Sequence, residues 1–377
     1  MRAKAKNFER DDISSVVSFC HKLKPPIKAY LTTNILIYDN ELEDLEHLIT
    51  LAKKSNIDAI IAHDLAAIQF AKQKGLKFHI STQANVSNVE SAKFYESLGA
   101  ERIILARELS LNQIKLIKHH LNKTKIECFV HGSMCASISG RCYLSALICD
   151  SDEGSANRGK CVQPCRREWR VIDDENNEIL YDGQMFLNAK DLCMIEYIPE
   201  LIKANIDAFK IEGRMKDPLY IETVASCYRE AIDSYFNSTF SEQKVQDWLA
   251  RLSKVYNRGF HTGFYFERPT IEDVELEQRG NVSPFKKHYL GRVLSFDKSS
   301  MTANILVEIK EFNLKLGDEI IITGDDTYHH QPIKHMVYKG ENIKNIYKKR
   351  YDNPFKVNLR LNKAVKKEDK IYIVYQT

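Results

Sequence analysis

The chain has 377 residues, enough for two domains or for one large α/β barrel with an appendage, and too many for a single small module. Hydrophobic residues make up 44% and charged residues 28%, a balance that excludes a disordered or collagen-like chain. The net charge of +4 is unevenly placed: residues 284–377 carry 18 Lys and Arg against 11 Asp and Glu, which leaves residues 1–283 at −3. A basic tail is compatible with a nucleic-acid partner and equally with a solvated surface. No run approaches the roughly 20 apolar residues of a membrane span, and the first ten residues have no apolar core of a signal peptide, so a cytoplasmic protein with no membrane partner is expected.

From residue 27 onward, short β-branched or aromatic runs alternate with longer segments of helical apolar spacing. Strands are predicted at 27–33, 59–62, 78–81, 102–105, 126–130 and 208–211, and helices at 41–54, 65–74, 88–98, 111–120 and 217–236. Repeated units of this kind predict a parallel sheet with helical cover. Each apolar run finishes in polar residues: Thr33-Asn34, His63-Asp64, Thr82 to Asn85, Arg107-Glu108, His131-Gly132 and Glu212-Gly213-Arg214. Functional groups at successive carboxyl ends are what a (β/α) barrel uses for its active site, so the expected fold is α/β, a TIM-like barrel. Only six such units are visible where a closed barrel has eight. Beyond residue 270 comes an acidic stretch, and from Tyr289 onward short alternating runs between turn signals predict a small all-β barrel.

Nine cysteines in a reducing compartment point to metal binding or catalysis rather than to a disulfide framework. Cys20, Cys128, Cys149 and Cys227 sit in apolar surroundings and read as buried small residues, whereas Cys135, Cys142, Cys161, Cys165 and Cys193 fall within 59 positions. Four thiolates can hold a tetrahedral zinc or an iron–sulfur cluster, and interspersed glycines let the backbone fold tightly round either. Paired CxxC knuckles are absent, and the looser CxxxC and CxxxxxxC intervals lean towards a cluster.

Four runs carry a resemblance: Cys128-Phe129-Val130-His131-Gly132-Ser133-Met134-Cys135, Ser139-Gly140-Arg141-Cys142-Tyr143-Leu144-Ser145, Asn157-Arg158-Gly159-Lys160-Cys161 and Pro164-Cys165-Arg166-Arg167. They look like the signature of the collagenase-like peptidase family U32. The match is extended by Ser81 to Asn85, Leu105 to Ser110, Asn188 to Leu192, Lys210 to Lys216 and Asn257 to Phe260, and it covers nearly the whole chain. Despite the peptidase name, the resemblance implies oxygen-independent hydroxylation of transfer RNA, ribosomal RNA or the ubiquinone ring, with a 4Fe-4S cluster on four cysteines. It therefore also implies the iron–sulfur assembly machinery as a partner, and no DNA. The Arg-Glu-Leu-Ser and Phe-Val-His-Gly runs look most like the branch that hydroxylates tRNA uridine, for which 5-hydroxyuridine at the wobble position and prephenate as hydroxyl source are implied.

Carried over, the cluster ligands fall on Cys135, Cys142 and Cys161, with Cys165 favoured as the fourth and Cys193 as the alternative. Family members begin with two further strands, so the resemblance implies a barrel lacking strands one and two, through a late start or a degenerate copy. The expected domains are a barrel over 1–270 with a cysteine-rich iron–sulfur insertion at about 132–193, a linker over 271–287 and a β-barrel over 288–377.

Glu212 and Arg214 would bind an anionic co-substrate, move a proton or pair with each other, and Lys210 in the same run is a further catalytic candidate. His131 would be a general acid/base, a donor to cluster sulfur or a satisfied structural histidine. Gln83, Asn85, Arg107 and Glu108 would orient a base or a carboxylated co-substrate, or tie loops together. Asp191 beside Lys190 would cap a helix. Arg166, Arg167 and Arg170, with Trp169, would offer a phosphate and stacking surface. A base acted on inside the barrel mouth would be flipped out of its stack. The competing readings are a collagenase-like peptidase, a ribosomal RNA hydroxylase and a non-catalytic RNA-binding protein. The first lacks an HExxH pair and a GxSxG elbow, and a Cys135–His131 dyad would leave the other cysteines idle.

Overall fold

The computed structural model describes residues 8–376 except 140, 150–153, 170, 173, 176, 177, 180–184, 186, 215, 279, 325 and 326. After α1 (Asp12–Lys22), strands and helices alternate: β1 (Tyr30–Thr33), α2 (Leu42–Lys54), β2 (Ala59–Ala62), α3 (Leu65–Gln73), β3 (Phe78–Ile80), α4 (Val89–Ser97), β4 (Arg102–Ile104), α5 (Leu111–His120) and β5 (Lys125–Ser133). An insertion follows with α6 (Leu144–Cys149), the antiparallel pair β6 (Val171–Ile172) and β7 (Glu178–Ile179), and β8 (Asp191–Cys193). The alternation resumes with α7 (Ile198–Lys203), β9 (Ala208–Ile211) and α8 (Pro218–Phe236), then α9 (Glu242–Ser253) and β10 (Phe260–His261).

All six expected strands are present, and they run parallel in the order β1-β2-β3-β4-β5-β9. β2 is buried at every position, the near-continuous apolar run of a parallel strand covered on both faces. The helices present their apolar stripes inward, as at Leu45, Ile49 and Ala52 of α2. Polar residues at the strand ends also start these helices. Asp64 accepts the Ala66 N–H at 2.9 Å, Asn88 accepts that of Ser91 at 2.8 Å, and Ser110 with Gln113 forms a capping box.

Two features depart from a simple barrel. The end of β5 turns to a third neighbour, pairing antiparallel with β8 at His131–Ser133, and β8 pairs in parallel with β10. No ladder joins β1 to β9 among the described residues, so the sheet is curled and open. Asp191 was expected to cap a helix; it begins β8 instead, because the short run Asp191–Cys193 finds β5 and β10 as partners.

The chain divides into two compact units, the first ending at Val282 and the second covering Ser283–Thr377 together with Pro218–Glu222 and Ser253–Val255. Residues 271–282, expected as linker, are tied to the first unit. Val274 bridges Ala189, and the N–H groups of Met185 and Lys190 donate to Leu276 and Asp273 carbonyls at 3.1 and 2.9 Å.

The second unit is all antiparallel: β11 (Phe285–Asp297), β12 (Thr302–Val307), β13 (Phe312–Lys315), β14 (Glu319–Thr323), β15 (Tyr328–Pro332), β16 (Met336–Tyr338), β17 (Glu341–Asn342), β18 (Asn345–Lys348), β19 (Phe355–Arg360) and β20 (Lys370–Gln376). Its main sheet runs β15-β14-β20-β11-β12-β19-β16-β17 around a core that includes Leu290, Ile305, Ile320, Leu359 and Ile371. Among the described residues, no helix is long and apolar enough to cross a membrane.

Candidate active site

The carboxyl ends of the six parallel strands open on a cavity of about 430 Å³. Thr32 of the first strand and Lys210 and Ile211 of the last line the same space, so the curl brings both sheet edges to one mouth. Of the residues expected at the site, Gln83, Arg107, Lys210, Glu212 and Arg214 share this wall with Cys135 and Cys142.

Charge here is held in place by buried partners. Lys210 Nζ lies 2.7 Å from Glu127 Oε1, and Arg102 Nη1 lies 2.8 Å from Glu127 Oε2. Burial opposes ionisation of Glu127, but the two cations outweigh it and hold its carboxyl below the usual range. The Arg107 guanidinium sits 3.8 Å from the centre of the Phe129 ring and donates to the Ser133 carbonyl at 3.0 Å. Glu212 donates its backbone N–H to the His131 carbonyl at 2.8 Å, and its carboxylate accepts the Arg214 backbone N–H at 3.2 Å. Gln83 Oε1 accepts the Ser81 hydroxyl at 3.3 Å.

Asn85 and Glu108 are loop fasteners instead of cavity groups. Asn85 closes the 82–84 turn in the left-handed region at φ 52°. Glu108 accepts the Ser139 N–H at 2.7 Å and its hydroxyl at 3.1 Å, which moors the segment between Cys135 and Cys142.

His131 is 2% exposed and is not part of the cavity wall. Burial, with Lys216 adding to it, pushes its imidazole down to about 3, so it is neutral at ordinary pH. Tyr228 lies beside it, its hydroxyl 3.3 Å from Nδ1 and donating to the Val130 carbonyl at 2.7 Å. Opposite His131 in the ladder, Cys193 is buried, its thiol pushed up to about 12 by that burial, and Tyr228 reaches its sulfur at 4.0 Å.

Arg166 was expected on a phosphate-binding surface. The structure corrects this: the side chain turns inward, 8% exposed, because backbone acceptors await it there. Its guanidinium donates to the Met134 carbonyl, to Ala189 O at 2.9 Å and to Asn188 Oδ1 at 3.1 Å. Arg167 is exposed, Trp169 donates its ring N–H to Pro164 O at 3.0 Å, and Arg170 lies outside the described residues.

Sequence reasoning missed a buried cluster behind the cysteine loop. Asp191, 1% exposed, receives Arg258 Nη1 at 2.8 Å, and Lys216 Nζ lies 3.9 Å from its other oxygen. Burial, against the pull of Asp191, brings the Lys216 ammonium down to about 8, and it stands 3.4 Å from the Tyr256 ring centre. Each residue lay in a recognised run, but separations such as 191 to 258 leave no local spacing that links them.

For the cysteines, the donor chemistry fits a thiolate-held centre. Burial pushes the Cys165 thiol up, Arg166 opposes it, and Cys135, Cys161 and Cys142 add to the rise. The Gln163 N–H donates to Cys161 Sγ at 3.3 Å. Among the described residues, no three His, Cys, Asp or Glu side chains are drawn close enough to hold an ion.

A model of peptidase family U32 matches residues 1–275. A protein named an uncharacterized protease, from Methanocaldococcus jannaschii, is 40% identical over 100% of this chain and 91% of its own. A collagenase of Porphyromonas gingivalis is 34% identical over 99% of this chain and 89% of its own. The tRNA hydroxylation protein P1 of Bacillus subtilis is 33% identical over 86% of this chain and 76% of its own. The cysteine loop and the strand-end residues that fold into one mouth thus lie on a chain that belongs to peptidase family U32.

Proposed function

We propose that the chain is an RNA-modifying enzyme that converts a tRNA wobble uridine to 5-hydroxyuridine without dioxygen, with prephenate as the hydroxyl source. In this reading Cys135, Cys142, Cys161 and Cys165 hold a 4Fe-4S cluster, and the curled sheet is a TIM-like barrel. The single observation that carries it is the shared wall: Cys135 and Cys142 line the same 430 Å³ cavity as Arg107, Lys210, Glu212 and Arg214. The likeness to a tRNA hydroxylation protein and to a 23S rRNA 5-hydroxycytidine synthase supports the RNA substrate.

Arg107 and Arg214 would grip a carboxylated co-substrate, the first already oriented by Phe129 and Ser133. Lys210 would be a positioned cation on the wall, held at 2.7 Å by Glu127. Gln83 would pair with the edge of a flipped uracil, and Glu212 would take the proton that leaves C5 while the C–H electron pair forms the new C–O bond and the hydroxyl donor, its own C–O bond breaking, is reduced by two electrons. An anticodon loop lends itself to flipping because its bases are already unpaired. When bound, the cluster supplies the electron transfer or Lewis acidity that these side chains lack.

Nucleoside mass spectrometry of bulk tRNA, with and without the gene, tests this. Loss of 5-hydroxyuridine derivatives on deletion, restored by the wild-type gene and not by Glu212→Gln, is the expected result. Persistence of the nucleoside in the deletion strain, with 5-hydroxycytidine lost from ribosomal RNA instead, would move the substrate to ribosomal RNA. The collagenase name of one relative motivates a parallel assay on gelatin, in which no cleavage is expected.

A further inference from the structure

Arg166 joins three segments that the sequence keeps apart. It follows Cys165 directly, and its guanidinium grips the carbonyl of Met134, the residue before Cys135. The same group binds Asn188 Oδ1 at 3.1 Å and Ala189 O at 2.9 Å, just before β8. Asn188 is itself fully buried, its amide donating to the carbonyls of Glu275 and Gln278 at 2.9 and 3.2 Å. One side chain thereby fixes the Cys135 segment against the Cys165 segment and anchors both to the sheet.

The charge balance of this interior points the same way. Arg166, Arg258 and Lys216 are each at most 8% exposed by residue or side chain, and Asp191 is the carboxylate buried among them. Glu212 also acts on Lys216, from the cavity side. Buried charge of one sign is costly unless opposite charge lies near. Arg166 directly follows Cys165 and its guanidinium holds the residue before Cys135, so thiolates at these two cysteines would lie beside its positive charge.

We propose that Arg166 is a positioning residue for the cysteine centre: it sets Cys135 against Cys165 and supplies the counter-charge for their thiolates. This rests on the cysteine-centre part of the proposed function, although not on the RNA substrate or on iron as the metal. The guanidinium fork is needed for the clamp, whereas any cation would provide the charge, and the two roles separate by substitution.

The test compares the full-length wild type with Arg166→Gln and Arg166→Lys. Iron and sulfide per chain and the reduction midpoint are measured after anaerobic reconstitution. Co(II) is titrated into metal-free protein, where thiolate-to-metal charge-transfer absorption reports thiol coordination whatever the native metal. Far-UV circular dichroism confirms that each variant is folded. We expect Arg166→Gln to weaken Co(II) binding about tenfold to a hundredfold and to lower cluster content, the usual cost of losing a group that orients ligands. Arg166→Lys should recover the midpoint more fully than the affinity. Should Arg166→Gln fail to fold, Arg166→Lys alone decides, through weaker Co(II) binding at a near-native midpoint.

Unchanged affinity, iron content and midpoint in the folded variants would overturn the proposal. A wild type that takes no iron but binds Co(II) through thiolates, with the variants weaker, would uphold Arg166 and overturn the iron–sulfur reading. A wild type with no thiolate-bound metal of either kind would overturn both.

Discussion

At the scale of single residues, burial decides role more than residue type does. His131 beside the cysteine loop suggested acid/base chemistry, yet its position among Tyr228, Cys193 and Phe260 makes it a neutral core group. Its stability contribution has a definite sign. The folded value is about 3 and the unfolded value is about 6.5, so the unfolded chain binds the extra proton between them. Stability carried by neutral His131 is complete above about pH 6.5 and falls as pH drops towards 3. His131→Gln should flatten this part of the profile, measured as urea midpoints from pH 7 to 4; an unaltered slope would place the titration elsewhere. Arg166 gives the converse lesson. An arginine among surface-looking neighbours is expected in water, and only the carbonyls of Met134 and Ala189 and the Asn188 amide draw it inside.

At the scale of elements, the strand ends carry two kinds of polar residue that look alike in sequence. Asp64 is spent on the first turn of α3, while Gln83, Arg107 and Glu212 face the cavity. Two elements, α9 and β15, were not among those expected. α9 buries Val245, Trp248 and Leu252 at helical spacing, and β15 buries His329 and Gln331 where a strand core is normally apolar. In β11 the register against β20 shifts between Tyr289 and Gly291, and the Gly291 Cα faces β12 so closely that a Cβ there would lie 1.8 Å from the Leu306 carbonyl oxygen. Only glycine fits without moving the partner strand. Gly291→Ala should therefore cost about 3 kcal/mol, at the upper end of overpacking penalties, in a denaturant titration. A loss below about 0.5 kcal/mol, the range of neutral surface changes, would mean that β12 relaxes freely.

At the scale of the whole molecule, the two units have separate cores of different texture. The first is a parallel sheet covered by helices, and the second is antiparallel with alternating inward residues, as along Thr302–Val307. Ile305 is fully buried at the centre of the second core. Ile305→Ala should cost about 2–5 kcal/mol, and native-state hydrogen exchange should show that loss in residues 283–377 while the amides of β1 to β5 keep their protection. Equal deprotection of both units would show that they unfold as one.

The sequence by itself determined the order and type of the six βα units, the change of texture before residue 290 and the cysteine constellation. Each is written in local periodicity or in spacing, and local signals survive without the fold. What it could not determine was which of those polar groups meet. Glu127 finds Lys210 across 83 residues, Asp191 finds Arg258 across 67, and Arg166 reaches Met134 across 32. Such pairings exist only once the sheet has curled and the insertion has packed behind β5. Burial, charge compensation and the geometry of the mouth were therefore decided by the tertiary structure alone.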